Sequence, residues 1–237
     1  MGWHRELLVG FDLETTGTDP AEARIVTAAV IEAVGGEPAR HREWLADPGV
    51  PIPEEAAAIH GVTTERAAAE GRPAREVVEE IAAALAGYWT AGVPVVAYNA
   101  AFDLTLLAAE LRRHGLPSLA DRLGGGEVGP IVDPYTIDRA VDRYRKGRRT
   151  LVATCGEYGV ALAAAHRADA DAVAAVRVAC ALAERHAGVA ELEPWTLHRN
   201  QVSWYARWAA GYQKWLRRER DPEAVVDGNW PLRALPS

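Results

Sequence analysis

Sulfur and phenyl rings are scarce in this chain. Its 237 residues include 2 cysteines, 1 methionine and 2 phenylalanines. Cys155 and Cys180 form no CxxC pair and no His/Cys cluster surrounds them, so neither a zinc site nor a disulfide framework is indicated. Both lie in Ala-rich apolar stretches and read as small buried thiols. Long hydrophobic runs are also missing. No stretch approaches the roughly 20 apolar residues of a membrane-crossing helix. Residues 1–8 carry His4, Arg5 and Glu6 where a signal peptide would have an apolar core. These absences predict a cytoplasmic protein with no membrane partner. Positive charge is in deficit too: 26 Lys and Arg face 33 Asp and Glu, a formal net charge of −7. Tight wrapping of duplex nucleic acid by charge alone is therefore not expected. A carboxylate cluster neutralised by bound cations remains compatible with that balance. No internal repeat recurs at a fixed period.

What is present is the alternation of strands and helices of an α/β domain. Residues 6–13 and 24–34 read as strands, and Gly35 and Gly36 make a turn into a third strand at 39–45, an antiparallel meander. Three prolines between 47 and 53 mark an irregular loop. Short helical pieces follow at 54–59 and 63–69, with Thr63 a candidate cap. Val77, Val78, Ile81 and Leu85 give residues 73–85 helical spacing. Residues 94–98 and 130–132 read as strands. Helices are expected at 101–114, 136–144, 150–158 and 168–186, the first stopped by Gly115. A central sheet with helices on its faces follows, and the opening meander makes that sheet mixed. Near residue 190 the composition changes. Five of the 8 tryptophans (Trp195, Trp204, Trp208, Trp215 and Trp230) fall beyond it. Trp204, Trp208, Tyr212 and Trp215 recur at the spacing of an amphipathic helix. The chain is thus read as a domain over 1–190 and a Trp-rich helical extension over 191–237 that docks onto the domain or a partner.

Three segments carry candidate chemistry. In Phe11-Asp12-Leu13-Glu14-Thr15-Thr16-Gly17, strand alternation puts Asp12 and Glu14 on one face. Two such carboxylates repel unless a cation lies between them, and magnesium or manganese prefers oxygen ligands. A solvated strand end is the plain alternative. In Tyr98-Asn99-Ala100-Ala101-Phe102-Asp103 a strand passes into a helix. Asn99 is a candidate cap, and Asp103 lies in the first turn, where the helix dipole favours negative charge. In His166-Arg167-Ala168-Asp169-Ala170-Asp171, an Asp that faces inward would ligate, and an imidazole beside it would take a proton from water. A capped helix with a surface histidine explains the same residues.

At this order and separation the three segments together resemble the DEDDh exonuclease superfamily, which includes the proofreading epsilon subunit of bacterial replicative DNA polymerase. The resemblance runs from about residue 6 to about 185, and Ile59-His60-Gly61-Val62-Thr63 also matches a recurring stretch between its first two motifs. It implies an RNase H-like fold with a mixed five-stranded sheet. It implies that Asp12, Glu14, Asp103 and Asp171 hold two divalent cations, Mg2+ or Mn2+, with His166 as general base. Thr15, Thr16, His60, Asn99 and Phe102 are then expected to contact the 3′-terminal nucleotide. Tyr98 stands where the epsilon subunit commonly has a polar His. The implied activity is removal of nucleotides from DNA 3′ ends, with trimming of RNA or tRNA ends as the rival. A DNA polymerase or sliding clamp is the implied partner. The basic segment 143–149 is a candidate guide for phosphates or, equally, a solvated helix end.

Overall fold

The computed structural model describes residues 2–162 and 165–235 of the chain. Strand β1 (Leu7–Thr15), β2 (Ile25–Val34) and β3 (Glu37–Asp47) form the antiparallel meander. Short helices α1 (Glu54–His60) and α2 (Thr64–Glu70) follow, the second capped by Thr63, whose hydroxyl accepts from the Arg66 N–H. A two-residue strand β4 (Arg72–Pro73) leads into α3 (Ala74–Thr90). Next come β5 (Val95–Val96), α4 (Ala100–Arg113), α5 (Leu119–Arg122), β6 (Ile131–Val132) and α6 (Pro134–Val141). The remaining helices are α7 (Leu151–Tyr158), α8 (Ala168–Arg185), α9 (Ala187–Ala190) and α10 (Pro194–Glu219).

The sheet runs β4-β3-β2-β1-β5-β6 among the described residues, with β1, β5 and β6 mutually parallel. It therefore carries one strand beyond the five expected. The extra strand, β4, is a two-residue parallel addition to the end of β3. Pro73 has no N–H to extend that ladder, so the chain turns directly into α3.

Alternation along β1 sorts its side chains onto two faces. Val9, Phe11 and Leu13 enter the larger core beneath α3 and α4 with Ile81, Leu85, Leu104 and Leu107. Leu8 enters the second core beneath α8 with Val176, Val178 and Leu182. Gly10 lies on the α8 side, where a Cβ would come within 2.6 Å of the Ala172 carbonyl oxygen. The lack of a side chain there lets α8 lie directly on β1, and so brings the start of α8 against the end of β1.

The C-terminal helix is built into this architecture. Among the described residues the outer edge of β6 has no neighbouring strand, and α10 supplies partners from side chains. His198 Nδ1 accepts from the Ile131 N–H at 3.1 Å. Gln201 Oε1 accepts from the Asp133 N–H at 2.7 Å, and its Nε2 donates to the Ile131 carbonyl at 2.8 Å. Both side chains are fully buried, so these bonds satisfy backbone groups that water does not reach.

His198 makes that brace sensitive to acid. Burial holds its imidazole down at about 4, below the ordinary 6.5, although Glu127 lies 3.6 Å away. The unfolded chain gains this proton as pH falls past 6.5, and the folded chain refuses it until about 4. Stability from this group is therefore full above the ordinary value and is lost on acidification through that interval, by about 3 kcal/mol in all. Thermal midpoints measured across the interval should fall more for the parent than for His198→Asn; parallel profiles would contradict the assignment.

Candidate active site

The first two acids stand at the carboxyl end of β1. Asp12 pairs with Ala29 and Glu14 with Thr27 across the β1–β2 ladder, so both project to the face covered by α8. The ladder shifts register between Glu14 and Thr15, and the chain leaves the sheet there. Asp171, in the first turn of α8, arrives from above. One carboxylate oxygen from each of Asp12, Glu14 and Asp171 lies within 4.8 Å of the others. Asp103, in the first turn of α4, is buried beside them, and its Oδ1 accepts from the Leu13 N–H at 3.2 Å. The structure thus brings all four predicted acids to one place, at the carboxyl ends of the parallel strands β1 and β5, with Asp103 just outside the tightest group of three.

That proximity is electrostatically costly. Burial raises the Asp12 carboxyl well above the usual range, and the charges of Asp103, Asp171 and Glu14 add to it. Burial and then Asp171 push Glu14 up to about 7. Asp103 is also raised by burial, against the opposing pull of backbone N–H groups including that of Leu13. Burial raises Asp171 while the His166 N–H, 3.2 Å from its Oδ2, opposes the rise. The other oxygen, Oδ1 of Asp171, is buried with no hydrogen-bond partner among the described residues. Mutually repelling carboxylates with an unsatisfied buried oxygen suit a hard divalent cation, which takes carboxylate ligands and offsets their repulsion.

Of the other predicted residues, Thr15 and Thr16 follow Glu14, Asn99 and Phe102 precede Asp103, and His60 lies against Thr15. His166 is exposed, with a left-handed φ of 67°, and its backbone is tied to Asp171. Asp169 pairs with Arg167 at 3.0 Å. Thr15 donates its hydroxyl to the Gly17 carbonyl at 2.7 Å, and the Thr16 hydroxyl accepts from the Arg24 N–H at 2.9 Å. His60 is half-buried next to the Thr15 backbone, and its Nδ1 accepts from the Val62 N–H. Phe102 is half-buried on the margin of the larger core.

Asn99 corrects one expectation. It occupies the cap position of α4, but its side chain makes no capping hydrogen bond, and its backbone is left-handed at φ 65°. Its own N–H donates to Asp133 Oδ1 at 2.9 Å. Asp133 is the residue that sequence reasoning missed. Fully buried, it accepts from Tyr135 N–H and from the Thr136 hydroxyl, and its Oδ2 accepts from Trp230 Nε1 at 3.2 Å. It thereby joins the second motif, α6 and the C-terminal tail. The signal was present as Val132-Asp133-Pro134, a strand followed by a cap residue and a proline at the first helical position.

The basic segment also differs from its sequence reading. Arg145 and Arg149 fold inward onto buried Asp138, leaving Arg143, Lys146 and Arg148 exposed. Helix α6 ends at Val141 instead of 144.

The sequence profile of the RNase_T family, described as exonuclease, matches residues 9–179. The chain belongs to this exonuclease family. Among relatives of the exonuclease, the PolC-type DNA polymerase III of Halalkalibacterium halodurans is 29% identical over 166 residues, covering 70% of this chain and 10% of that one. The exonuclease therefore spans about a tenth of the length of this polymerase relative. Its fold is shared with exonuclease I of E. coli in complex with a dT13 oligonucleotide, at TM-score 0.64 and 20% identity over 78% of this chain and 42% of that one. The zinc-bound form of the E. coli exonuclease I–ssDNA complex aligns at TM-score 0.59 and 20% identity over 77% and 42% of the respective chains. The RNase H-like architecture, a mixed sheet flanked by helices, is thus that of a DnaQ-like nuclease. No helix among the described residues is long and apolar enough to cross a membrane.

Proposed function

We propose that this exonuclease is a metal-dependent 3′–5′ enzyme that acts on single-stranded or frayed DNA ends and releases nucleoside monophosphates. The observation that carries this reading is the meeting of Asp12, Glu14 and Asp171 within 4.8 Å beside Asp103, with Asp171 Oδ1 unpartnered among the described residues. Asp12, Glu14, Asp103 and Asp171 would hold two divalent cations, Mg2+ or Mn2+. Such a pair of cations shields the anionic phosphodiester, makes water more acidic and stabilises the leaving oxygen. His166, at the open side of the cluster, accepts the proton of the attacking water on a ring nitrogen. Oxygen bonds to phosphorus, the bond from phosphorus to the 3′ oxygen of the preceding nucleotide breaks, and the terminal nucleotide departs as a 5′-monophosphate. Thr15, Thr16 and His60 border the terminal sugar on one side, and Asn99 and Phe102 the terminal base on the other.

The dT13 oligonucleotide held by exonuclease I supports single-stranded DNA as substrate, and the PolC-type relative supports a setting in replication, with a polymerase or clamp as partner. The division into an exonuclease module over 1–190 and a helical extension over 191–237 belongs to the same proposal. The test is digestion of oligonucleotides labelled at either end. Single-stranded DNA should shorten from its 3′ end in magnesium or manganese and stay intact in EDTA. Shortening from the 5′ end, or undiminished digestion in EDTA, would overturn the reading. A matched RNA strand cut faster than DNA would move the substrate assignment to RNA.

A further inference from the structure

Helix α10 lies outside the span of the family match, 9–179. Its inner face, Leu197, His198, Gln201 and Tyr205, is buried against the sheet edge and core. The spacing of its tryptophans predicts a simple packing face, and the outer half of the helix does not follow that prediction. Tyr212 and Trp215 are 40% and 38% exposed. Large rings left in water on an otherwise packed helix mark a surface with a use.

These rings form one continuous stripe. Trp208 and Tyr212 lie 5.6 Å apart at 12°, and Tyr212 and Trp215 lie 5.7 Å apart at 11°. The stripe continues inward: Trp208 meets Tyr135 at 6.5 Å, and Tyr135 meets Tyr98 at 5.7 Å. Tyr98 immediately precedes Asn99, so the stripe ends at the second motif. Cations accompany it. Arg139 sits 4.4 Å from the ring centres of both Tyr135 and Trp208. Arg143, Arg207 and Lys214 line the same groove, of about 1020 Å³. Among the described residues none of these three pairs with a carboxylate. This concentration of unneutralised positive charge sits on a chain of net charge −7.

Aligned aromatic faces and unpaired cations along one groove are the two elements of sequence-tolerant single-strand binding: bases stack on rings, and phosphates meet Lys and Arg. We propose that the groove of α6 and α10 holds the single strand upstream of its 3′ end, with bases against the exposed rings of Tyr212 and Trp215 and phosphates against Arg143, Arg207 and Lys214. This rests on the functional reading above, since the strand so held passes Tyr98 toward the carboxylates. The groove makes the enzyme sensitive to strand length, because a short oligonucleotide reaches the acids without reaching α10.

The test measures binding and cleavage separately. Binding of fluorescent oligothymidylates, roughly 4 and roughly 16 nucleotides long, is followed in EDTA by anisotropy. The parent should bind the longer strand more tightly, and increasingly so as salt is lowered. Tyr212→Ala with Trp215→Ala should weaken the longer strand about 10-fold or more and leave the shorter strand unchanged. Both rings are exposed, so an unchanged thermal midpoint checks that the fold is kept. Lys214→Glu, which leaves the rings in place, should weaken the longer strand and flatten its salt dependence. Equal affinity of parent and both variants for the longer strand overturns the groove, as does parent binding that ignores length. Cleavage of the shorter strand in magnesium or manganese keeps the two ideas apart. Its absence from the parent counts against the functional reading, whereas its presence with no binding loss in the variants counts against the groove alone.

Discussion

Asp103→Asn should end hydrolysis and stabilise the protein in the same step. Asparagine keeps an oxygen to accept from the Leu13 N–H, so the bond that seats α4 against β1 survives. The charge is removed. A carboxylate that helps hold a cation against a reacting phosphodiester contributes several kcal/mol, so turnover should fall at least ~10²-fold. In EDTA the thermal midpoint should rise. Asp103 is buried, and its charge is among those that raise Asp12, so one repelling anion fewer favours the fold. Added magnesium should raise the midpoint of the parent more than that of the variant, because a cation bound more tightly to the folded state stabilises it more. Kinetics with calorimetry in EDTA and in magnesium check both halves. A variant that digests DNA as fast as the parent removes Asp103 from the site. A variant destabilised without metal refutes the electrostatic account.

The second large effect concerns the brace on β6. Gln201→Leu keeps the volume and removes the donor and the acceptor. The Asp133 N–H and the Ile131 carbonyl then stay buried without these partners. A buried polar group left unpaired costs about 1–3 kcal/mol, so the loss should total roughly 2–6 kcal/mol from a typical domain stability of about 5–15 kcal/mol. Urea denaturation measures it directly. Removing everything after Ala190 is more severe. It uncovers the β6 edge together with Trp89, Ile131 and Ile137, and an apolar open edge pairs with other chains. The truncated chain should be recovered as aggregate. A soluble truncation with the parent's urea midpoint would show that α10 is an ornament on an independent domain.

The parts of this molecule that could be read from sequence are those whose logic is local. Asp12 and Glu14 are two residues apart on a strand, and alternation alone places them on one face. Asp103 follows an apolar strand and opens α4, and Asp171 lies in the opening turn of α8, so each of these acids sits at an element end where a polar site can form. What could not be read depends on contacts between distant segments. Asp133 and Gln201 are 68 positions apart, and no local pattern says that a helix near the C-terminus will serve as the missing neighbour of a two-residue strand. Asn99 carries a capping side chain by type, but the backbone N–H held by Asp133 leaves it in a left-handed turn instead. The basic segment 143–149 reads as a solvated patch until Asp138, buried on α6, is seen to take Arg145 and Arg149 for itself. The sixth strand was hidden by Pro73, which is a helix-entry residue in sequence and a ladder terminator in space.

The bond from Trp230 to Asp133 has a consequence for how the chain is made. Asp133 positions Asn99, and Asn99 begins the helix that carries Asp103. The last partner of this relay lies 97 positions beyond Asp133. A ribosome must therefore add the whole stretch from Asp133 to Trp230 before the second acidic motif is locked in place. A nascent fragment that stops short of Trp230 holds every acid of the cluster and lacks the clasp that orders it, so the acids leave the ribosome well before the group that steadies them.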